Sequence, residues 1–167
     1  MPRPDLWQGR RRAARVSTGA QVRLIPPVVY FVPFSVMWAL HWWRPWTIPG
    51  GRALTVSGLV LVLTGIALTV WSVATFRRVH TTVIPWDEVS AMVTTGPFRF
   101  SRNPIYLADA IAYLGGTLLI DSWWPLVVLP GILWVMRRKV IDREERYLTE
   151  RFGDPYREYQ LRVRRWL

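Results

Sequence analysis

Two short segments of the 167-residue chain carry side chains that a bare membrane anchor has no use for. The first is GPFRFSRNPIY, residues 96–106, where Arg99 and Arg102 stand just ahead of Asn103 and Pro104, and Tyr106 follows. Asn is a favoured helix N-cap and Pro a favoured first helical residue, so this pair marks a helix start. Free amide N–H groups at a helix start, with an Arg beside them, suit a carboxylate or a phosphate. The second segment is IDREERYL, residues 141–148, with the adjacent carboxylates Glu144 and Glu145. One segment supplies Arg and amides, the other carboxylates, and together they suit a zwitterionic ligand bearing both an acid and an amine. Taken singly, each has a plainer reading: a helix cap for Asn103 and Pro104, and a solvated helix face for the glutamates. Only their meeting in space would make a site.

The elements that must bring them together are written in long apolar blocks. About 20 apolar residues cross a hydrocarbon core. Residues 24–43 contain no charge until Arg44, with Pro26, Pro27 and Pro33 expected to bend this span or delay its start. Residues 53–76 form the clearest span and end at Arg77 and Arg78. Residues 104–120 and 122–136 are individually short and read as a tight helical hairpin turning at Asp121 and Ser122. Trp42, Trp43, Trp46, Trp123 and Trp124 sit where an interfacial aromatic belt belongs. From Arg137 the pattern is charged and helical, broken at Gly153, with Asp154 and Pro155 placed to cap and open a last helix. Glu144 and Glu145 thus follow the fourth span by about two turns and are expected to face the start of the third.

The expected fold class is therefore all-α: an integral membrane protein with four spans, a C-terminal helical hairpin and cytosolic helices over 137–167. Residues 1–23 read as a basic cytosolic tail, lacking the compact apolar core and cleavage site of a signal peptide, and residues 24–167 as one domain. The Lys and Arg bias supports this topology. Twenty fall on the side of the tail, the middle loop and the last segment, against Arg44 and Arg52 opposite. That places both termini in the cytosol. The net charge of +11 raises nucleic acid as a partner. The charge flanks the apolar blocks, however, where it meets anionic lipid, so no nucleic-acid partner is expected. With no Cys there are no thiolate ligands or disulfides. His41 and His80 lack metal-ligand spacing, and no metal is expected.

The joint occurrence of GPFRFSRNPIY and REERYLTERFGDPYREYQLRVRRWL resembles the isoprenylcysteine carboxyl methyltransferase and phospholipid methyltransferase superfamily, in particular its small prokaryotic members. The likeness covers residues 80–167; the first two spans match in hydropathy alone. It implies methyl transfer from S-adenosylmethionine at the membrane–cytosol boundary of a bacterial cytoplasmic membrane, to a lipophilic or amphipathic acceptor bearing a carboxylate or an amine. Carried over by position, it implies a cofactor pocket of Arg102, Asn103, Pro104, Tyr106, Glu144 and Glu145, with Arg102, Tyr106 and Glu145 nearest the chemistry. Asn103 stands where many members have His; it keeps hydrogen bonding but cannot act as a base. Asp109, one turn below Tyr106, and Arg99 are the residues expected toward the acceptor, an ionisable group inside a span being a functional candidate by default. Gly115 and Gly116 are expected to allow close packing within the hairpin, and Tyr156 and Tyr159 to dock the last helix on the membrane surface. Two other readings stand beside methyl transfer: a sterol-reductase-like, NADPH-dependent membrane oxidoreductase, and a non-catalytic membrane regulator of the same fold.

Overall fold

The computed structural model describes residues 24–78 and 92–167; the basic tail 1–23 and His80 lie outside them. Among the described residues the regular structure is helical, the sole β feature being an isolated bridge between Thr47 and Ser122. Helix α1 is Pro26–Trp43, α2 Gly51–Arg78, α3 Pro104–Leu119, α4 Trp124–Val135, α5 Asp142–Phe152 and α6 Asp154–Arg162.

Helix α1 starts at the first of its prolines and runs through Pro33 without a break. Pro26 and Pro27 occupy the first turn, where a missing N–H costs nothing. Helix α2 is 28 residues long, about 42 Å at the helical rise. Its most apolar 18-residue window has a mean hydropathy of 2.2, and only 11% of that window is buried in the protein. Its outward residues, such as Val60, Leu63 and Val70, are more than half exposed. Among the described residues α2 alone is long and apolar enough to cross a membrane; α3 is apolar but shorter.

Helices α2 and α3 pack along one another, and α4 lies mainly against α1. The sequence places Gly115 and Gly116 in a hairpin contact between the last two apolar blocks. They face elsewhere: Gly115 abuts Gly58 and Val62 of α2, and Gly116 the Phe34 ring of α1. Helices α3 and α4 are joined by a turn in which Asp121 takes a left-handed φ of 55°, a conformation Asp tolerates better than most residues. That turn pairs with the loop after α1. Ile48 N–H donates to the Asp121 carbonyl, Trp123 N–H to that of Trp46, and the Trp124 indole to that of Arg44. Trp46 packs against both Trp123 and Trp124 at this end.

The opposite end carries the charged segments. Helix α4 does not stop at Val135. It continues through a π-helical stretch, Met136–Ile141, directly into α5. A π turn holds extra residue and re-phases whatever follows it. Met136, Val140 and Ile141 are fully buried there, and they fix the rotation of α5 and hence of its carboxylates. Gly153, at a φ of 63°, separates α5 from α6. Asp154 does not cap α6 with its side chain; it is the first helical residue and pairs with Arg157 at 2.8 Å.

Candidate functional site

The start of α3 is set by a 3-10 turn, Gly96–Arg99, that packs on the end of α2. Phe98 meets Phe76 edge-on at 4.9 Å. Gly96 has a φ of +60°, and a Cβ there would lie 2.6 Å from the Thr75 hydroxyl, so no other residue seats this turn without a shift. Helix α6 closes over it. Tyr156 and Tyr159 are buried, and the Tyr159 hydroxyl donates to the Phe98 carbonyl at 2.6 Å. Burial pushes that phenol up to about 12 even with Arg102 drawing it down, so it remains a donor. These tyrosines therefore dock the last helix on the motif loop, where the sequence reading puts them on the membrane surface.

Tyr106, on the first turn of α3, donates its hydroxyl to Glu144 Oε1 at 2.6 Å. Arg102 Nη1 lies 3.3 Å from Glu145 Oε1, with both side chains about nine-tenths buried. The two segments singled out in the sequence thus meet, Arg102 and Tyr106 from one side and the glutamate pair from the other. The two glutamates have different surroundings. Glu145 is also held by Arg165, whose Nε and Nη2 reach its two oxygens at 3.2 and 2.5 Å. Glu144 has the Tyr106 hydroxyl and, among the described residues, no ion-pair partner. Burial, reinforced by the neighbouring Glu145 charge and opposed by the Tyr106 hydrogen bond, pushes the Glu144 carboxyl up to about 7. Such a group gains from a cation brought to it.

Asn103 precedes α3 but makes no side-chain cap. Its Nδ2 donates instead to the Arg165 carbonyl at 3.0 Å, and its own N–H is taken by the Ser101 hydroxyl at 3.2 Å. Pro104 is fully buried at the first helical position. Arg99 is not brought into the group: it is exposed, with its guanidinium 4.6 Å from the Phe100 ring. Asp109 lies one turn below Tyr106 with Oδ2 buried and without a hydrogen-bond partner, and Arg102 Nε is in the same position. Tyr30 of α1, which nothing in the sequence marks, donates to the Tyr106 carbonyl at 3.3 Å. A cleft of about 620 Å³ opens beside Glu145, lined by Arg138, Asp142, Thr149, Gln160 and Arg165 among others. Among the described residues no group of three His, Asp or Glu is placed to hold a metal ion.

A largely buried ion-pair group thus stands at one end of an apolar helical bundle, with the Tyr106–Glu144 hydrogen bond beside it. The phospholipid methyltransferase family matches this chain over residues 53–155. The chain belongs to that family. The family segment contains α3, the helical run from α4 to α5, and every site residue named above except Tyr30, Tyr156, Tyr159, Gln160 and Arg165. The family and the apolar outward face of α2 give the protein its membrane character. Among similar proteins, a probable protein-S-isoprenylcysteine O-methyltransferase of Oryza sativa subsp. indica is 31% identical over 108 residues, 64% of this chain and 56% of that protein. The protein-S-isoprenylcysteine O-methyltransferase of Saccharomyces cerevisiae is 31% identical over 114 residues, 67% of this chain and 48% of the yeast protein. That of Schizosaccharomyces pombe is 32% identical over 72 residues, 43% of this chain and 30% of the other. The chain spans about half the length of the rice and budding-yeast relatives. No solved structure matches it.

Proposed function

We propose that the chain transfers the methyl group of S-adenosylmethionine to a lipophilic or amphipathic acceptor at the cytosolic face of a membrane. The observation that carries this reading is the meeting of Tyr106 and Glu144 beside the Arg102–Glu145 pair, in a chain of the phospholipid methyltransferase family. The topology that goes with it has four spans, α1 to α4, with the α4 run leaving the membrane at the π stretch. The Arg102 end faces the cytosol and the Trp46, Trp123 and Trp124 end faces away.

The residues present fit the cofactor. Among the described residues Glu144 has a phenol but no ion-pair partner, and Arg102 Nε and Asp109 Oδ2 are buried polar atoms without partners. Glu144 would take the ligand's ammonium or ribose hydroxyls, and Arg102 with the amides of the α3 start its carboxylate. When bound, the cofactor supplies an electrophilic methyl on a sulfonium, so little acid–base chemistry is asked of the protein. What Tyr106, Pro104 and the glutamates do is align the ligand and keep water from the reacting end. Asp109, deeper along α3, would meet an acceptor entering from the lipid. Relatives named as O-methyltransferases favour this reading over a reductase or a regulator.

The test is titration of S-adenosylmethionine and its demethylated product into the detergent-purified protein and a Glu144→Gln variant, followed by transfer of labelled methyl into lipid extracts. Micromolar binding that the variant weakens at least tenfold supports the pocket. NADPH binding in its place would reverse the reading. Binding without transfer to any lipid would favour the regulator.

Glu144 also sets a pH dependence. With its carboxyl pushed up to about 7, it is neutral in mildly acid solution and charged above. Affinity for the cationic cofactor is expected to rise as pH climbs from 6 to 8 and then level off. The Tyr106→Phe variant should shift that rise to higher pH, because the phenol hydrogen bond holds the carboxyl down. Calorimetric titrations at several pH values check both; a flat profile in the wild type would exclude Glu144 from cofactor binding.

A further inference from the structure

Residues 163–167 leave α6 and cross back over the open end of the bundle to the loop ahead of α3. The Arg102 N–H donates to the Arg164 carbonyl at 2.9 Å. The Ser101 hydroxyl and Asn103 Nδ2 both donate to the Arg165 carbonyl, at 3.3 and 3.0 Å. The Arg165 side chain turns the other way, to α5. Its Nε and Nη2 grip both oxygens of Glu145, and its Nη1 lies 3.0 Å from Asp142 Oδ1. One residue therefore holds the Arg102–Asn103 loop through its carbonyl and the glutamate helix through its guanidinium. With Arg102 and Arg165 opposite Glu145 and Asp142, the four charges balance.

We propose that Arg165 is a positioning residue of the cofactor site, clamping Glu145 and the Asn103 loop in register so that Glu144 is left as the carboxylate presented to ligand. This rests on the methyltransferase reading above. The planar fork of Arg explains the residue type. It can serve a carboxylate with two parallel donors and still reach a second one, whereas Lys is a point charge. The guanidinium is about a quarter exposed, at the edge of the cleft beside Glu145, so its loss leaves room for water rather than an apolar void.

The experiment measures the affinity of the full-length, detergent-purified protein for S-adenosylmethionine in the wild type and in Arg165→Gln, Arg165→Lys, Glu145→Gln and the Arg165→Gln/Glu145→Gln double variant. Arg162→Gln, an exposed charge loss a few residues away, is the control. The expected result is a Kd raised at least tenfold by Arg165→Gln, partly restored by Lys and unchanged in Arg162→Gln. The double variant should bind as Glu145→Gln does, because a residue acting through another adds nothing once that partner is gone. Additive losses, or an unchanged Kd in Arg165→Gln, would overturn the clamp while leaving the cofactor site standing. Failure of the wild type to bind would overturn both. The same cycle run with Asp142→Asn keeps the test readable should Glu145→Gln not fold.

Discussion

Replacing Glu145 with alanine is expected to lower the unfolding free energy by about 3 to 5 kcal/mol, the usual cost of removing one partner from a buried ion pair. Glu145 is the shared acceptor of Arg102 and Arg165, and among the described residues its removal leaves Arg102 without an ion-pair partner and Arg165 with Asp142. Its neighbour should behave in the opposite way. The Glu144 carboxyl is raised to about 7 in the folded protein, mainly by burial, against about 4.3 in an unfolded chain. A group raised in this way contributes stability below its unfolded value and loses it as pH climbs through the folded one. Above pH 7 the charged Glu144 therefore costs stability. Glu144→Gln at pH 8 should stabilise by about 3 kcal/mol, and the gain should fall to about 1 kcal/mol at pH 5 and vanish only below the unfolded value. Thermal unfolding of both variants in detergent at pH 5 and pH 8 separates the two carboxylates. Equal losses at both pH values for both variants would mean that the pair acts as one structural unit. A stabilising substitution that also removes ligand binding is the mark of a residue kept for function.

That division was not legible in the sequence, where Glu144 and Glu145 are adjacent and alike. The pairing of the two segments was legible, because the apolar blocks fix which ends share a side, and Arg102, Tyr106 and the glutamates sit within two turns of those ends. The limits of α1 to α4 were legible to within about two residues for the same reason: charge, Pro and Gly bound each block. Arg165 was not. It is one of ten basic residues in the last segment, where abundance hides the one with a task, and only the return of residues 163–167 to Ser101 and Asn103 distinguishes it. Asn103 misled in a different way. Its type and its place before Pro104 fit a capping side chain, yet a tertiary acceptor, the Arg165 carbonyl, takes its amide instead. Tyr30 sits in an apolar run where a Tyr reads as belt, and its hydrogen bond to the Tyr106 carbonyl depends on the packing of α1 beside α3.

The second large effect is expected far from any charge. Gly58 and Gly65 on α2 face Ala108, Ala112 and Gly115 on α3, and the two backbones touch along this line. A Cβ on Gly115 would stand 2.7 Å from the Gly58 carbonyl and 2.7 Å from the Val62 nitrogen. Both obstacles are backbone, which cannot rotate aside. Gly116 offers the contrast. A Cβ there meets only the Phe34 ring, at 3.0 Å, and a side chain at the edge of α1 can give way. Between apolar helices in a membrane no hydrophobic force restores contact once it is lost, so close packing carries the association. Gly115→Val is therefore expected to destabilise by about 3 kcal/mol, the upper end of overpacking, and Gly116→Ala by less than about 1 kcal/mol. The consequence reaches the site. Gly115 lies nine residues beyond Tyr106 on the same helix, about 14 Å along it, and α3 moves as a rod. Spreading α2 from α3 also unseats the Gly96 turn, which rests on Thr75 near the end of α2. At a temperature where it remains folded, Gly115→Val should lose S-adenosylmethionine affinity as well as stability, whereas Gly116→Ala should keep both. Full affinity in folded Gly115→Val would show that the start of α3 is positioned by the α6 and Arg165 contacts alone, with the α2 seam needed only for stability.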